Sequence, residues 1–275
     1  MPFMTINDRQ LHYLDEGEGF PILFGHSFLW NAHMWEPQLK VLSQHYRCLS
    51  IDLWDHGQSG HLNADSYTMS ELAADYWQFT QALGLKKFVI IGLSIGGMWG
   101  VQLTLEHPEA VSGLVIMDTY VGAEPKMTQE RYLAMMATMK VQKGISEDLA
   151  TTIAPLFFSP KTVIDNPQMV QKLKERLMEL PANKIHGITT LGDMIFTRKC
   201  LLARLPEIQQ PTLVIVGADD IPRPPSESKD MADRLHNGKL TVIKDAGHIA
   251  NLEQVDEVTE LLSSFLENEI LVSTG

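Results

Sequence analysis

Four Gly-x-Ser triplets occur in the chain, ending at Ser27, Ser59, Ser94 and Ser146. Only the third continues to glycine two residues on, as Gly92-Leu93-Ser94-Ile95-Gly96-Gly97. Phe88-Val89-Ile90-Ile91 before it reads as a strand, and a helical pattern starts directly after it. A sharp strand–turn–helix of this kind holds a serine Oγ above a sheet edge and aims a helix N-terminus at the reaction centre. Small flanking residues are required because the chain packs closely on itself there. A serine hydroxyl is a weak nucleophile and needs a base. His248 is the candidate: it follows the strand-like Leu240-Thr241-Val242-Ile243, in the loop Asp245-Ala246-Gly247-His248. Loops after the last strand can reach the carboxyl edge of a sheet, where Ser94 would sit. The imidazole needs an orienting carboxylate. Asp220 follows the strand Thr212–Val216 and is the first choice; adjacent Asp219 is its alternate, and Asp118 a weaker rival. The chain order is then Ser94, Asp220, His248.

A tetrahedral intermediate also needs donors for its oxyanion. The amide after the nucleophile, Ile95, is one. The second should come from the loop after an early strand, Phe24-Gly25-His26-Ser27-Phe28-Leu29-Trp30, with Phe28 N–H as the expected donor. Other histidines read more blandly. His12, His45, His107 and His236 fall in polar loop or helix-end settings and are expected to be solvated. No His-Glu-x-x-His, Cys-x-x-Cys, Gly-x-Gly-x-x-Gly or phosphate-loop spacing occurs, so no metal or nucleotide cofactor is implied.

The elements that must position these residues alternate between strand and helix. Ile22–Phe24, Cys48–Ile51, Phe88–Ile91, Leu114–Met117, Leu213–Val216 and Leu240–Ile243 read as strands buried on both faces. Phe3 to Leu14 reads as a hairpin turning at Asn7-Asp8, residue types that tolerate positive φ. Thr68-Met69-Ser70-Glu71 is a capping box, and Gly84 closes the helix it starts. In that helix Leu72, Tyr76, Trp77, Thr80 and Leu83 form one mostly apolar stripe. A second helix runs from Ile95 to before Pro108. Strand, helix, strand in this order makes a parallel sheet. The alternation lapses after Asp118. From Glu124 to Cys200 the pattern is helical and holds half of the chain's 14 Met. The expected organisation is an α/β core of residues 1–120 and 205–275 with a helical lid of residues 121–204. Met is adaptable apolar filler. The lid is therefore expected to present a Met-rich face to the site, with Met135 among its residues and Trp30 and Trp99 from the core.

Composition narrows the partners. The 275 residues carry a net charge of −12, with 44% apolar and 20% charged types. An acidic globular chain is a poor polyanion binder, so nucleic acid and anionic membrane surfaces are excluded as partners. No apolar run approaches the roughly 18 residues needed to span a bilayer. The first residues lack a basic-then-apolar leader pattern, so no signal peptide is expected. Two distant cysteines, Cys48 and Cys200, do not suggest a disulfide, which fits a cytoplasmic setting.

Together these residues resemble the α/β-hydrolase superfamily, specifically its small serine esterases and enol-lactone hydrolases, over nearly the full core. The resemblance rests on Gly25-His26-Ser27-Phe28, on Asp52-Leu53-Trp54-Asp55-His56-Gly57-Gln58-Ser59 and on the Ser94 turn. It rests also on Gly217-x-x-Asp220-x-x-x-Pro224 and on Gly247-His248 followed by Asn251-Leu252-Glu253. It implies a mostly parallel eight-stranded sheet flanked by helices, selects Asp220 over Asp219, and gives Phe28 and Ile95 the oxyanion. Ser27 and Asp55 each replace a usual Gly, and Val255 stands where Pro is common. Ser94 argues against the epoxide hydrolase and haloalkane dehalogenase relatives, which use Asp as nucleophile. The expected activity is cofactor-free hydrolysis of small to medium apolar carboxylic esters through an acyl-enzyme. Enol-lactone or carbon–carbon bond hydrolysis and perhydrolysis are alternatives on the same triad. A ligand receptor on this fold is the non-enzymatic alternative.

Overall fold

The computed structural model describes residues 2–271; Met1 and 272–275, the outer limits of the expected core, lie outside the described residues. Eight strands form one sheet: β1 Phe3–Ile6, β2 Arg9–Glu16, β3 Phe20–Gly25, β4 Tyr46–Ile51, β5 Phe88–Leu93, β6 Val111–Met117, β7 Thr212–Gly217 and β8 Gly238–Ile243. Their order is β1-β2-β4-β3-β5-β6-β7-β8. β1–β2 and β2–β4 are antiparallel and all later pairs are parallel, so the sheet is mostly parallel as expected. The hairpin turns at Asn7 and Asp8, both at positive φ (48° and 61°), the pair a type I′ turn requires.

Three helices before the insertion, α1 Glu36–Leu42, α2 Met69–Ala82 and α3 Ile95–Glu106, cover the sheet. The α2 capping box forms as read, and Gly84 (φ 67°) closes the helix in a left-handed conformation. β5 and β7 are buried along their whole length, which explains their continuous apolar runs. β8 departs from the expectation. It is the sheet's edge strand, with one neighbour instead of two, and Leu240 and Val242 are 36% and 45% exposed.

Between β6 and β7 the chain forms five α-helices, with short 3-10 turns between them, and no strand among the described residues: α4 Lys126–Gln142, α5 Glu147–Ile153, α6 Pro160–Asp165, α7 Pro167–Met178 and α8 Ile185–Phe196. α4 packs on α8, and α5 on α7. Polar contacts tie the segment to the core. Lys184 Nζ donates to Gly57 O (2.7 Å), Thr190 Oγ1 to Ala64 O (3.3 Å), and Arg176 Nη2 to Leu29 O (3.4 Å). The Arg176 guanidinium also lies 4.1 Å over the Trp30 ring. After β7 come α9 Pro225–Arg234, α10 Ala250–Glu253 and α11 Val255–Phe265, the last continued by a π-helical turn at Leu266–Leu271. Among the described residues, no helix is long and apolar enough to cross a membrane.

Candidate active site

Ser94 ends the β5 turn at φ 58°, ψ −119°, a left-handed backbone that a non-glycine residue adopts only when its surroundings enforce it. The surroundings are legible atom by atom. A Cβ on Gly92 would lie 2.2 Å from Gly96 C and O, and one on Gly96 would lie 2.1 Å from Gly25 O. Gly97 is closed off by Thr119 at 2.8 Å. The glycines therefore let α3 start directly against β3 and β5. Ser94 N donates to Met117 O (2.9 Å), and Thr119 Oγ1 donates to Ser94 O. Ile95 is the first residue of α3, so its N–H has no acceptor within the helix.

The loop after β3 is clamped on every side but one. Ser27 N donates to Met34 Sδ (3.3 Å), Leu29 N to His56 Nε2 (3.1 Å) and Trp30 N to Ser27 O (3.1 Å). Phe28 N–H has no acceptor among the described residues. The two histidines that hold this loop are fully consumed. His26 Nδ1 bonds Ser27 O (2.7 Å) and its Nε2 accepts from Leu53 N (2.9 Å). His56 Nδ1 bonds Trp54 O (2.9 Å) while Nε2 takes Leu29 N. Each must be the neutral Nδ1–H tautomer, because Nε2 is an acceptor. Burial lowers both, with His26 pushed down and His56 down to about 3.

The Asp52–Ser59 stretch is thus a brace behind the loop rather than part of the chemistry. Asp52 accepts from Ala32 N (2.7 Å), Gln58 N (2.8 Å) and His12 Nδ1 (2.7 Å). Burial opposes its charge, but the His12 hydrogen bond, His26 and these amides outweigh burial and hold its carboxyl below the usual range. His12 is therefore not solvated, as its sequence setting suggested. It sits in β2, fully buried, on Asp52. Of its companions, His45 and His236 are exposed and His107 is half-buried. Asp55, which replaces a usual glycine, keeps the glycine-like backbone (φ 59°) and accepts from His61 Nδ1 (2.6 Å) and Leu62 N (2.7 Å).

At the other end of the sheet, His248 Nδ1 hydrogen-bonds Asp220 Oδ2 at 2.9 Å. His248 is 4% exposed and Asp220 4%. Asp220 Oδ1 also accepts from Arg223 N (2.9 Å), which fixes the carboxylate plane. Asp219 is exposed, so the imidazole's partner is Asp220. Asp118 is buried behind them with Oδ1 on Gly217 N (2.8 Å) and Oδ2 without a partner. Burial, then the nearby Asp220 charge, raises its carboxyl well above the usual range. Asp118 ties the end of β6 to β7 through this contact. The loop carrying His248 is held by Glu253, which accepts from Gly247 N (2.6 Å) and from Ser159 N (2.8 Å) of the inserted segment.

Ser94, His248, Ser27, Phe28 and Leu29 line one cavity with about 70 Å³ of free space. Its other walls come mainly from the insertion, including Tyr132, Met135, Phe157 and Phe196. Met135 is where it was expected, but the Met-rich face is not. Met127 is 84% exposed and Met139 is interhelical core; of the seven insertion methionines, Met135 and Met136 line the cavity. Aromatic and branched side chains do the rest. Trp30 and Trp99 do not line it either. Trp99 is core, packed on Tyr76 (4.6 Å between centroids), and Trp30 supports Phe157 and Arg176 from behind.

Sequence reasoning missed a buried charge cluster beside the site. Glu124 Oε2 accepts from both Arg198 Nη1 and Arg223 Nη2 at 2.7 Å, and Arg223 reaches Glu227 at 3.3 Å. These partners are up to 99 residues apart in sequence, and no local pattern announces them.

A serine on a glycine-walled strand–helix turn, a histidine–aspartate pair from the last two strand ends and a cavity over both define a hydrolase of α/β type. The family model described as the alpha/beta hydrolase fold matches residues 21–255, and the chain belongs to that family. Its relatives mark it as a hydrolase. It is 24% identical over 251 residues to the protein described as the carbamate hydrolase RutD of Yersinia enterocolitica, covering 89% of this chain and 85% of that one. It is 24% identical over 253 residues to 3-oxoadipate enol-lactonase 2 of Acinetobacter baylyi, covering 91% of each. A thermophilic esterase from Thermogutta terrifontis, solved with malate bound, superposes with a TM-score of 0.89 at 26% identity over 98% of each chain.

Proposed function

We propose that this protein is a serine hydrolase of small to medium apolar carboxylic esters that works through an acyl-enzyme. In this reading Ser94 Oγ attacks the carbonyl while His248 Nε2 takes its proton. Asp220 holds the Nδ1–H tautomer and stabilises the imidazolium. The amides of Phe28 and Ile95 receive the oxyanion. Collapse expels the alcohol, which takes its proton from His248. Water, deprotonated by His248, then releases the acid from Ser94. Residues 121–204 act as the cap over the site, and their apolar walls select the substrate. The single observation that carries the reading is the 2.9 Å His248–Asp220 hydrogen bond in the cavity Ser94 lines.

The free space of about 70 Å³ beside Ser94 and His248 fits a short acyl group. A second reading keeps the triad and takes a cyclic ester, a lactone; the likeness to an enol-lactonase over 91% of the chain favours it. We assign the protein to the cytoplasm, since Cys48 is buried and unpaired and Cys200 is free. Its net charge of −12 fits a small-molecule substrate rather than a nucleic acid or membrane partner.

A panel of aryl and alkyl esters, lactones and diketones, run beside Ser94→Ala, tests this. Turnover of neutral esters or lactones that vanishes in Ser94→Ala supports it. Preference for charged esters overturns the substrate class, and ligand binding without turnover overturns the enzyme.

A further inference from the structure

Ser27 is where the loop after β3 departs from the family pattern, and its hydroxyl has no work in the resting protein. The residue is fully buried. Its backbone is committed: the amide bonds Met34 Sδ, and the carbonyl accepts from His26 Nδ1 (2.7 Å) and Trp30 N (3.1 Å). Its hydroxyl has no hydrogen-bond partner among the described residues. Serines with structural roles nearby look different. Ser50 Oγ donates to Ala32 O (2.9 Å) and Ser59 Oγ to Asp52 O (2.9 Å). Yet Ser27 lines the same cavity as Ser94, Phe28 and His248. A buried hydroxyl without a partner carries an uncompensated desolvation penalty. Two buried serine hydroxyls lack a partner among the described residues, those of Ser27 and Ser228, and of the two Ser27 lines this cavity.

We propose that the Ser27 hydroxyl is a third oxyanion donor, bonding the tetrahedral oxygen beside the amides of Phe28 and Ile95. The proposal rests on the acyl-enzyme reading above. No proton is transferred: His248 still takes the Ser94 proton, and Ser27 keeps its own. Hydrogen bonds on its amide and carbonyl hold the Ser27 backbone, so rotation about χ1 alone brings Oγ to the tetrahedral oxygen as the charge develops. A donor idle in the resting state and bonded only at the charged intermediate lowers the barrier without tightening substrate binding.

The test is Ser27→Ala and Ser27→Cys, the second keeping the side-chain size with a much weaker donor. Both should lower kcat about ten- to a hundredfold, somewhat less than loss of a dedicated oxyanion donor elsewhere. KM should stay within about twofold, as expected for a contact made only in the transition state. The melting temperature should hold or rise, because the deleted hydroxyl had no partner. Reaction of Ser94 with a fluorophosphonate should slow in proportion to kcat. Parental kcat in both variants overturns the proposal, and so does a melting temperature that falls together with activity in both. If Ala does not fold, the Cys variant decides. Failure of the acyl-enzyme reading shows separately, as a parent protein whose Ser94 takes no label.

Discussion

Gly96→Ala tests whether the contact between α3 and β3 sets the spacing of the site. A Cβ at residue 96 would lie 2.1 Å from Gly25 O, 2.5 Å from Gly25 C and 3.0 Å from Gly25 Cα. Ordinary contact begins at 3.4 Å, so backbone must part by about 1.3 Å, and no flexible side-chain tip is available to yield. Gly25 directly precedes His26-Ser27-Phe28, and Gly96 lies two residues after Ser94. The same displacement therefore widens the gap between the nucleophile and the Phe28 amide. Overpacking of this kind costs about 1–3 kcal/mol. At this chain length that lowers the melting temperature by roughly 2–10 °C. Misplacing reacting groups by about 1 Å costs on the order of a hundredfold in rate. Calorimetry and ester hydrolysis on Gly96→Ala measure both, with Gly144→Ala as control because its nearest neighbour is 4.0 Å away. A Gly96→Ala protein with parental melting and activity within twofold would refute the reasoning.

Three further outcomes follow from the same geometry. Asp220→Asn should cost about 10⁴ in kcat by allowing the wrong imidazole tautomer, while exposed Asp219→Asn stays within about twofold; equal losses in steady-state kinetics would void the acid assignment. Glu124→Gln strips the shared counter-charge from Arg198 and Arg223, both buried, and should cost about 3–5 kcal/mol in a denaturant titration; a loss below about 1 kcal/mol would contradict the cluster's role. His26 and His56 are lowered in the fold, His56 to about 3, so between about 6.5 and that value the unfolded chain binds protons the native one does not. Stability should therefore fall as pH drops below about 6.5, by up to roughly 1.4 kcal/mol per pH unit for each histidine. Melting curves at pH 7 and pH 5 that coincide would show that these rings are not held neutral.

Local backbone demands were the legible part. The Ser94 turn could be read because its strain tolerates only small flanking residues, and the Asn7-Asp8 turn because positive φ restricts residue type. The capping box at Thr68 and Glu71 bonds within four residues, so sequence alone shows it. Long-range partnerships were not legible. His12 looked polar and solvated, but its environment is set by Asp52, 40 residues away, across the sheet. Trp99 has the size of a pocket residue, yet the close approach at Gly25 draws it into the core. Leu240 and Val242 follow the apolar pattern of their neighbours, and the strand order alone makes them an exposed edge. The chain order of Ser94, Asp220 and His248 was readable since each follows a strand, and strand ends share one edge of a parallel sheet.

Covalent labelling with a fluorophosphonate, read by peptide mass spectrometry on the intact protein, on Ser94→Ala and on His248→Ala, probes the nucleophile directly. The account predicts one adduct on the peptide carrying Ser94, absent from Ser94→Ala and slowed by at least about 10³ in His248→Ala. An unlabelled parent, an adduct elsewhere, or labelling at Ser94 that ignores loss of His248 would contradict it.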